Sequence, residues 1–239
     1  MNKQLRSRLL KCFREGVKEF GLVAPSDSIL IGLSGGKDSL ALLDLMGDML
    51  RRSNNGFTLH ALHVRMAGVD YQTDSSYLRE QCERNHIAYH ERLVEFDADR
   101  DDKRTPCFLC SWNRRKTLFE VAQELGCNKI ALGHHQDDIL HTALMNLSYS
   151  GSFSTMPCRL HMRKMPIAII RPLCLVKETL LKEWAIEAEY QPLVKVCPHD
   201  KASKRTEIAN LFEQLEKQNP EFRGNLWNAL LKEGKLIEE

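Results

Sequence analysis

Three short stretches of this chain hold residue types that can do chemistry together. The first is Ser34-Gly-Gly-Lys-Asp-Ser39. Gly35 and Gly36 let the backbone turn tightly and approach a ligand closely. The N–H groups of such a turn, followed by a helix start, point at an anion. Lys37 adds a mobile positive charge, and Ser34 and Ser39 add hydroxyls. Asp38 is the odd member, because a carboxylate repels phosphate unless a metal bridges them. The loop therefore fits a Mg2+–nucleotide better than bare phosphate. It matches neither GxxxxGK[ST] nor GxGxxG.

The second stretch is Cys107-Phe-Leu-Cys110, preceded by Pro106, at the start of a helical pattern. A helix N-terminus favours thiolates. Cys197-Pro-His-Asp200 offers a third thiol and an imidazole. Cys107, Cys110 and Cys197 could hold an iron–sulfur cluster with one iron left open, or zinc with His199, or carry out thiol redox chemistry. Spacing leaves ordinary burial open as well. Cys12, Cys82, Cys127, Cys158 and Cys174 lie in helical or strand patterns and read as small core residues. The third stretch, Gly133-His-His-Gln-Asp-Asp138, follows an apolar run and opens a helix. His134, Asp137 and Asp138 are candidates to border a nucleotide there, with Asp38 and Asp138 as candidates for Mg2+. Helix capping by the two aspartates is the plainer alternative.

These stretches must be positioned by alternating strands and helices. Leu5, Leu9, Phe13, Val17 and Phe20 recur at helical spacing. Strands are expected over 28–33, 57–64, 87–96, 129–132 and 167–170. Helices are expected over 40–49, 111–125, 137–147 and 176–188, with another after an N-cap at Thr73 or Asp74. The segment 97–106 reads as a charged loop. The tail reads as two helices separated by Asn219-Pro220. The pattern predicts an α/β fold, a parallel five-stranded sheet with helices on both faces. Residues 1–200 form its main domain and residues 201–239 a C-terminal helical extension. Ligands bind at the carboxyl edge of such a sheet.

The chain has 239 residues, 43% of them apolar and 28% charged, which suits a soluble globular protein. No apolar run is long enough to span a bilayer, and Met1 to Phe20 has no apolar signal region. A cytoplasmic location without membrane attachment is the expectation. The net charge of +2 is a cancellation. Residues 103–117 and 155–182 together carry +10 on 43 residues, leaving −8 on the remainder. Such segregation suits a phosphate backbone, with Trp112 and Phe153 placed to stack on exposed bases. A solvated face with Trp112 in the core is the alternative.

The strand–SGGKDS–helix arrangement resembles the PP-loop of the N-type ATP pyrophosphatases. That resemblance implies ATP as cofactor, with AMP transferred to a substrate oxygen and pyrophosphate released. The run Cys107 to Arg115, leading through a helix to Ala131-Leu-Gly-His-His-Gln-Asp-Asp-Ile-Leu140, narrows it. With Met156-Pro157, Ile170-Arg-Pro-Leu173 and Cys197, it resembles the tRNA 2-thiocytidine synthetase (TtcA) group over nearly the whole chain. The resemblance implies a [4Fe-4S] cluster on Cys107, Cys110 and Cys197, and sulfur insertion at C2 of a tRNA pyrimidine, cytidine 32. It implies tRNA and ATP as partners, a cysteine desulfurase or other sulfur donor, and a homodimer as a candidate assembly. The sequence departs from the group at His141, where glutamate is expected, and at Asp200, where a second cysteine is often found. Cysteines for terminal zinc fingers are missing. Two alternatives stand beside this reading. One is a lysidine-type synthetase, and the other a zinc-stabilised nucleotide or RNA-binding module without catalysis.

Overall fold

The computed structural model describes residues 2–53, 56–67, 70–71, 75–95, 105–193, 195–196 and 204–239. In chain order the elements are α1 (Lys3–Glu19), β1 (Ser28–Gly32), α2 (Lys37–Arg52), β2 (Thr58–Met66), β3 (Asp70–Tyr71), α3 (Ser76–Arg84) and β4 (Ala88–Val94). Then follow α4 (Pro106–Glu124), β5 (Lys129–Ala131), α5 (Gln136–Ser150), β6 (Arg159–His161), β7 (Ala168–Ile170) and α6 (Glu178–Glu187). The chain closes with β8 (Lys195–Val196), α7 (Lys204–Gln218), α8 (Phe222–Lys232) and β9 (Ile237–Glu238).

The five expected strands pair in the order β4-β2-β1-β5-β7, all parallel. Ile31 sits between Ala61 and Ala131, which fixes the central register. Among the described residues the sheet is larger than expected, with seven strands. β6 adds antiparallel to β7, and β9 adds to β6. Both are two or three residues long and show no sustained alternation, so they leave little trace in the sequence. A separate antiparallel pair joins β3 to β8.

β1 buries both faces, as a central parallel strand must. Ile29 and Ile31 enter a large core with α1, α2, α5 and α6. Leu30 points the other way, into a smaller core with Leu62, Ile130 and Val121 of α4. Each fully buried side chain of this size contributes roughly 1.5–3 kcal/mol. The C-terminal residues Phe212, Trp227, Leu230 and Leu236 belong to the larger core.

Two boundaries differ from expectation. The N-cap of α3 is Ser75, while Thr73 and Asp74 lie outside the described residues. Helix α4 begins at Pro106 rather than Ser111. Thr105 caps it by accepting the Phe108 N–H at 3.3 Å, and proline suits the first helical position.

Strand order reverses between β1 and β5, with β2 and β4 on one side and β7 on the other. The connections after these two strands therefore diverge and leave a crevice at the carboxyl edge. The Ser34–Ser39 loop follows β1, and Gly133–Asp138 follows β5.

Candidate active site

The loop after β1 is shaped from within. Gly35 has φ +83, a left-handed conformation that disfavours any side chain. A Cβ there would also lie 2.6 Å from Leu193. Ser39 Oγ accepts the Gly35 N–H at 3.1 Å and donates to the Gly36 carbonyl at 2.9 Å. Ser34 Oγ reaches the same hydroxyl at 3.2 Å. Ser39, expected as a ligand donor, thus braces the turn. No side chain caps α2, so the N–H groups of its first turn are left for an anion.

Lys37 Nζ lies 3.0 Å from Asp38 and 3.5 Å from Glu178. Asp38 Oδ1 is shielded from solvent and, among the described residues, is met by the Lys37 ammonium at 3.0 Å as an ion pair without good hydrogen-bond geometry. A shielded carboxylate oxygen whose neighbouring cation is a mobile lysine loses that partner when the lysine turns to a phosphate, and a divalent cation would replace it. The residues present therefore fit Mg2+.

The loop after β5 lies directly against the first. A Cβ on Gly133 would come within 3.1 Å of the Asp38 carbonyl and the Ser39 nitrogen. Glycine is the residue that lets the two loops meet. Asp138 Oδ2 accepts the His135 N–H at 3.0 Å, closing the start of α5.

The two histidines are driven apart in protonation. Burial and the Arg171 guanidinium push His134 down to about 4. Arg171 Nε donates to His134 Nδ1 at 3.2 Å, which holds that ring neutral at pH 7. Burial also opposes the charged form of His135, but Asp137, Asp138 and Asp38 outweigh it and raise its pKa.

Asp137 was expected beside the nucleotide. It is buried, and protein groups occupy both its oxygens. Oδ1 accepts from Arg223 at 2.7 Å, and Oδ2 accepts the Glu178 N–H at 2.7 Å. Burial alone would raise its pKa, but His135, Arg223 and that N–H pull it far below the usual carboxylate range. It fastens α6 and α8 to the first turn of α5.

Two arginines of this site were not among the candidate site residues, although Arg171 lies in the Ile170–Leu173 run that carries the resemblance. Arg223 binds Glu216 at 2.7 Å, Gln136 at 3.2 Å and Asp137, and stacks on Phe212. Arg171 is buried, and besides His134 it donates to the Pro157 carbonyl. A charged residue directly after the apolar strand Ala168–Ile170 was the available signal for Arg171.

Cys107 and Cys110 occupy the first turn and a half of α4, three residues apart and so on neighbouring positions of one face. Cys107 is exposed and Cys110 half-buried. α4 returns from the end of β4 to the start of β5, which puts its N-terminus at the carboxyl edge. Cys197 lies outside the described residues. β8 immediately precedes it and pairs with β3, which follows β2 at that same edge. Two cysteines so placed fit a pair of cluster ligands. The other cysteines are buried or, for Cys12, half-buried, and burial raises the Cys82 thiol to about 12. They are core residues.

The basic stretches are less available than their totals imply. In 155–182, Arg171 is buried, and Arg159, Arg163 and Lys182 face Glu239, Glu238 and Glu178. Phe153 packs half-buried on the core. On α4, Trp112 is 44% exposed, with Lys116 Nζ 5.7 Å from its ring centre. A cavity of about 310 Å3 between α1, α2, α3 and α6 has no residue of Ser34–Ser39 or Gly133–Asp138 in its walls.

Residues 1–210 match the PP-loop domain. The chain belongs to the PP-loop family. This PP-loop protein is 34% identical to the tRNA-cytidine(32) 2-sulfurtransferase of Anaeromyxobacter dehalogenans (strain 2CP-C), over 95% of its own length and 79% of the relative's. It is also 34% identical to the protein of that name from Paraburkholderia xenovorans (strain LB400), covering 96% and 69%. Its fold is similar to that of the U34-tRNA thiolase NcsA from Methanococcus maripaludis, solved with its [4Fe-4S] cluster. The TM-score is 0.73 at 26% identity, covering 93% of this chain and 77% of that one. Among the described residues, no helix is long and apolar enough to cross a membrane.

Proposed function

We propose that this PP-loop protein is an ATP-dependent tRNA sulfurtransferase that replaces the C2 oxygen of a cytidine, at position 32, with sulfur. The observation that carries the reading is the meeting of the two loops at Gly133, with the Cys107–Cys110 turn on the same edge. A phosphate site, a crevice for the acceptor and a pair of thiols thus share one side of the sheet.

The α2 N-terminus and Lys37 bind the β- and γ-phosphates, with Asp38 and Asp138 as the residues to hold Mg2+. On binding, Lys37 exchanges Asp38 and Glu178 for phosphate oxygens. The cytidine O2 attacks the α-phosphorus and pyrophosphate leaves with the electron pair of the broken bond. AMP makes the oxygen a leaving group, and a sulfur nucleophile then displaces it from C2. Cys107 and Cys110, with Cys197, are the residues to hold a [4Fe-4S] cluster. When bound, the cluster supplies an iron at which incoming sulfur is kept. Neutral His134 keeps a second cation away from the Arg171 side of the crevice. Water attack would only restore the carbonyl, so the occupied crevice must exclude it.

Thionucleoside analysis of tRNA from a deletion strain tests the reading. Loss of 2-thiocytidine is expected, and unchanged 2-thiocytidine would reject the substrate.

A further inference from the structure

Beside Asp138 a narrow cleft of about 60 Å3 opens between α5 and α7. Met145, Met156 and Ile208 give it apolar walls, and Asp138, His141, Thr142 and Arg205 supply its polar groups. The volume admits the edge of a flat ring rather than a whole nucleotide. His141 is held neutral, chiefly by burial, and packs edge-on against Phe212 at 4.9 Å. Arg205 is exposed on the first turn of α7 and has no hydrogen-bond or ion-pair partner among the described residues. Its charge reaches His134. An uncommitted guanidinium therefore stands at a slot that shares a wall with the catalytic crevice.

We infer that this cleft takes the C2–N3 edge of the target base, and that Arg205 selects cytosine over uracil by donating to ring N3. The inference rests on the sulfurtransferase reading and names the group that sets its specificity. Cytosine presents two acceptors side by side, O2 and N3, and N3 is the more basic. An enzyme that must adenylate O2 has to keep N3 from attacking first. A guanidinium N–H on the N3 lone pair does so and leaves an O2 lone pair to attack phosphorus. The O2–P bond forms, the bond to the departing pyrophosphate breaks, and no proton leaves N3. The positive charge gained by the ring faces the Asp138 carboxylate on the same wall. Uracil carries a hydrogen at N3, so donor would meet donor, which a polar site penalises heavily.

The test uses the full-length, cluster-loaded protein and anticodon stem–loops with cytidine, uridine or 3-deazacytidine at the target position. AMP release is followed with wild type, Arg205→Gln and Arg205→Lys. Arg205→Gln is expected to lower kcat/KM on the cytidine loop by about 10- to 100-fold, the discrimination carried by a good base-edge contact. Its cytidine-over-uridine preference collapses by the same factor while ATP affinity stays unchanged. Arg205→Lys, which keeps a donor, falls between. The 3-deazacytidine penalty seen with wild type vanishes in Arg205→Gln, because both changes remove one interaction. A wild-type preference retained by Arg205→Gln, or penalties that multiply, would overturn the inference alone. Wild type that releases no AMP with any loop, with 2-thiocytidine intact in the deletion strain, removes the sulfurtransferase reading and this inference with it.

Discussion

The first turn of α5 and the first turn of α4 lie at one edge of the sheet and are built by opposite means. Asp137 at the start of α5 gathers Arg223, the Glu178 N–H and His135, and draws three helices onto one buried carboxylate. Cys107 and Cys110 stand on a helix end capped by one threonine, with an exposed tryptophan two residues further on. The difference follows from the tasks. Phosphoryl chemistry depends on donors fixed before the substrate arrives. Cysteines proposed to hold a cluster that takes up sulfur must remain reachable.

Cys107→Ala offers the sharpest break between the regions. Thiolation should disappear, together with the brown colour of an anaerobic preparation, while ATP affinity measured by calorimetry stays within twofold. A parallel loss of ATP binding would show that the regions are one unit.

Arg223→Met comes next. It leaves Asp137 as a buried charge without its main partner, and loss of one member of such a pair typically costs about 3–5 kcal/mol. Urea unfolding should show that loss, and Asp137→Asn in the same chain should recover part of it. A loss below 1 kcal/mol would mean that α5 is held by other contacts.

Gly133→Ala should cost about 1–3 kcal/mol, the usual price of overpacking. It should also weaken ATP binding, because Asp38 and Ser39 must move. The cysteine turn should keep its iron content.

The smallest effect concerns acid. The folded-state pKa of His134 is depressed to about 4, below its unfolded value of 6.5. The unfolded chain therefore binds more protons between those values, and stability falls as pH drops from 6.5 toward 4. The loss at pH 5 is about 1–2 kcal/mol. His135 has a raised pKa and acts in the opposite sense, losing its contribution as pH climbs through its folded value. His134→Gln should flatten the acid limb of the stability profile. An unchanged limb would assign the acid sensitivity elsewhere.

What could be read from sequence was local. Gly35, Gly36 and Lys37 announce an anion loop because the turn, the helix start and the charge fall within six residues. The five parallel strands were legible as apolar runs. Thr105-Pro106 is a helix-start signature, and the charged residues around it masked the true beginning of α4. Arg223 was not legible, because its partners Gln136 and Asp137 lie 87 and 86 residues away. Its own neighbours describe an ordinary amphipathic helix. The basic count over 155–182 misled for a similar reason. A linear sum cannot see Glu238 and Glu239 returning beside β6 to meet Arg163 and Arg159.

Leu193 fills the space that a side chain on Gly35 would need, and its N–H is bonded to the Gly35 carbonyl at 2.9 Å. Val196 is three residues further on. Three residues of extended chain span at most about 11 Å. The strand that leads to Cys197 is thus leashed to the phosphate loop by a tether of fixed length. Any lengthening of residues 193–196 would slacken that leash, and would let the proposed cluster ligand drift from the proposed ATP site.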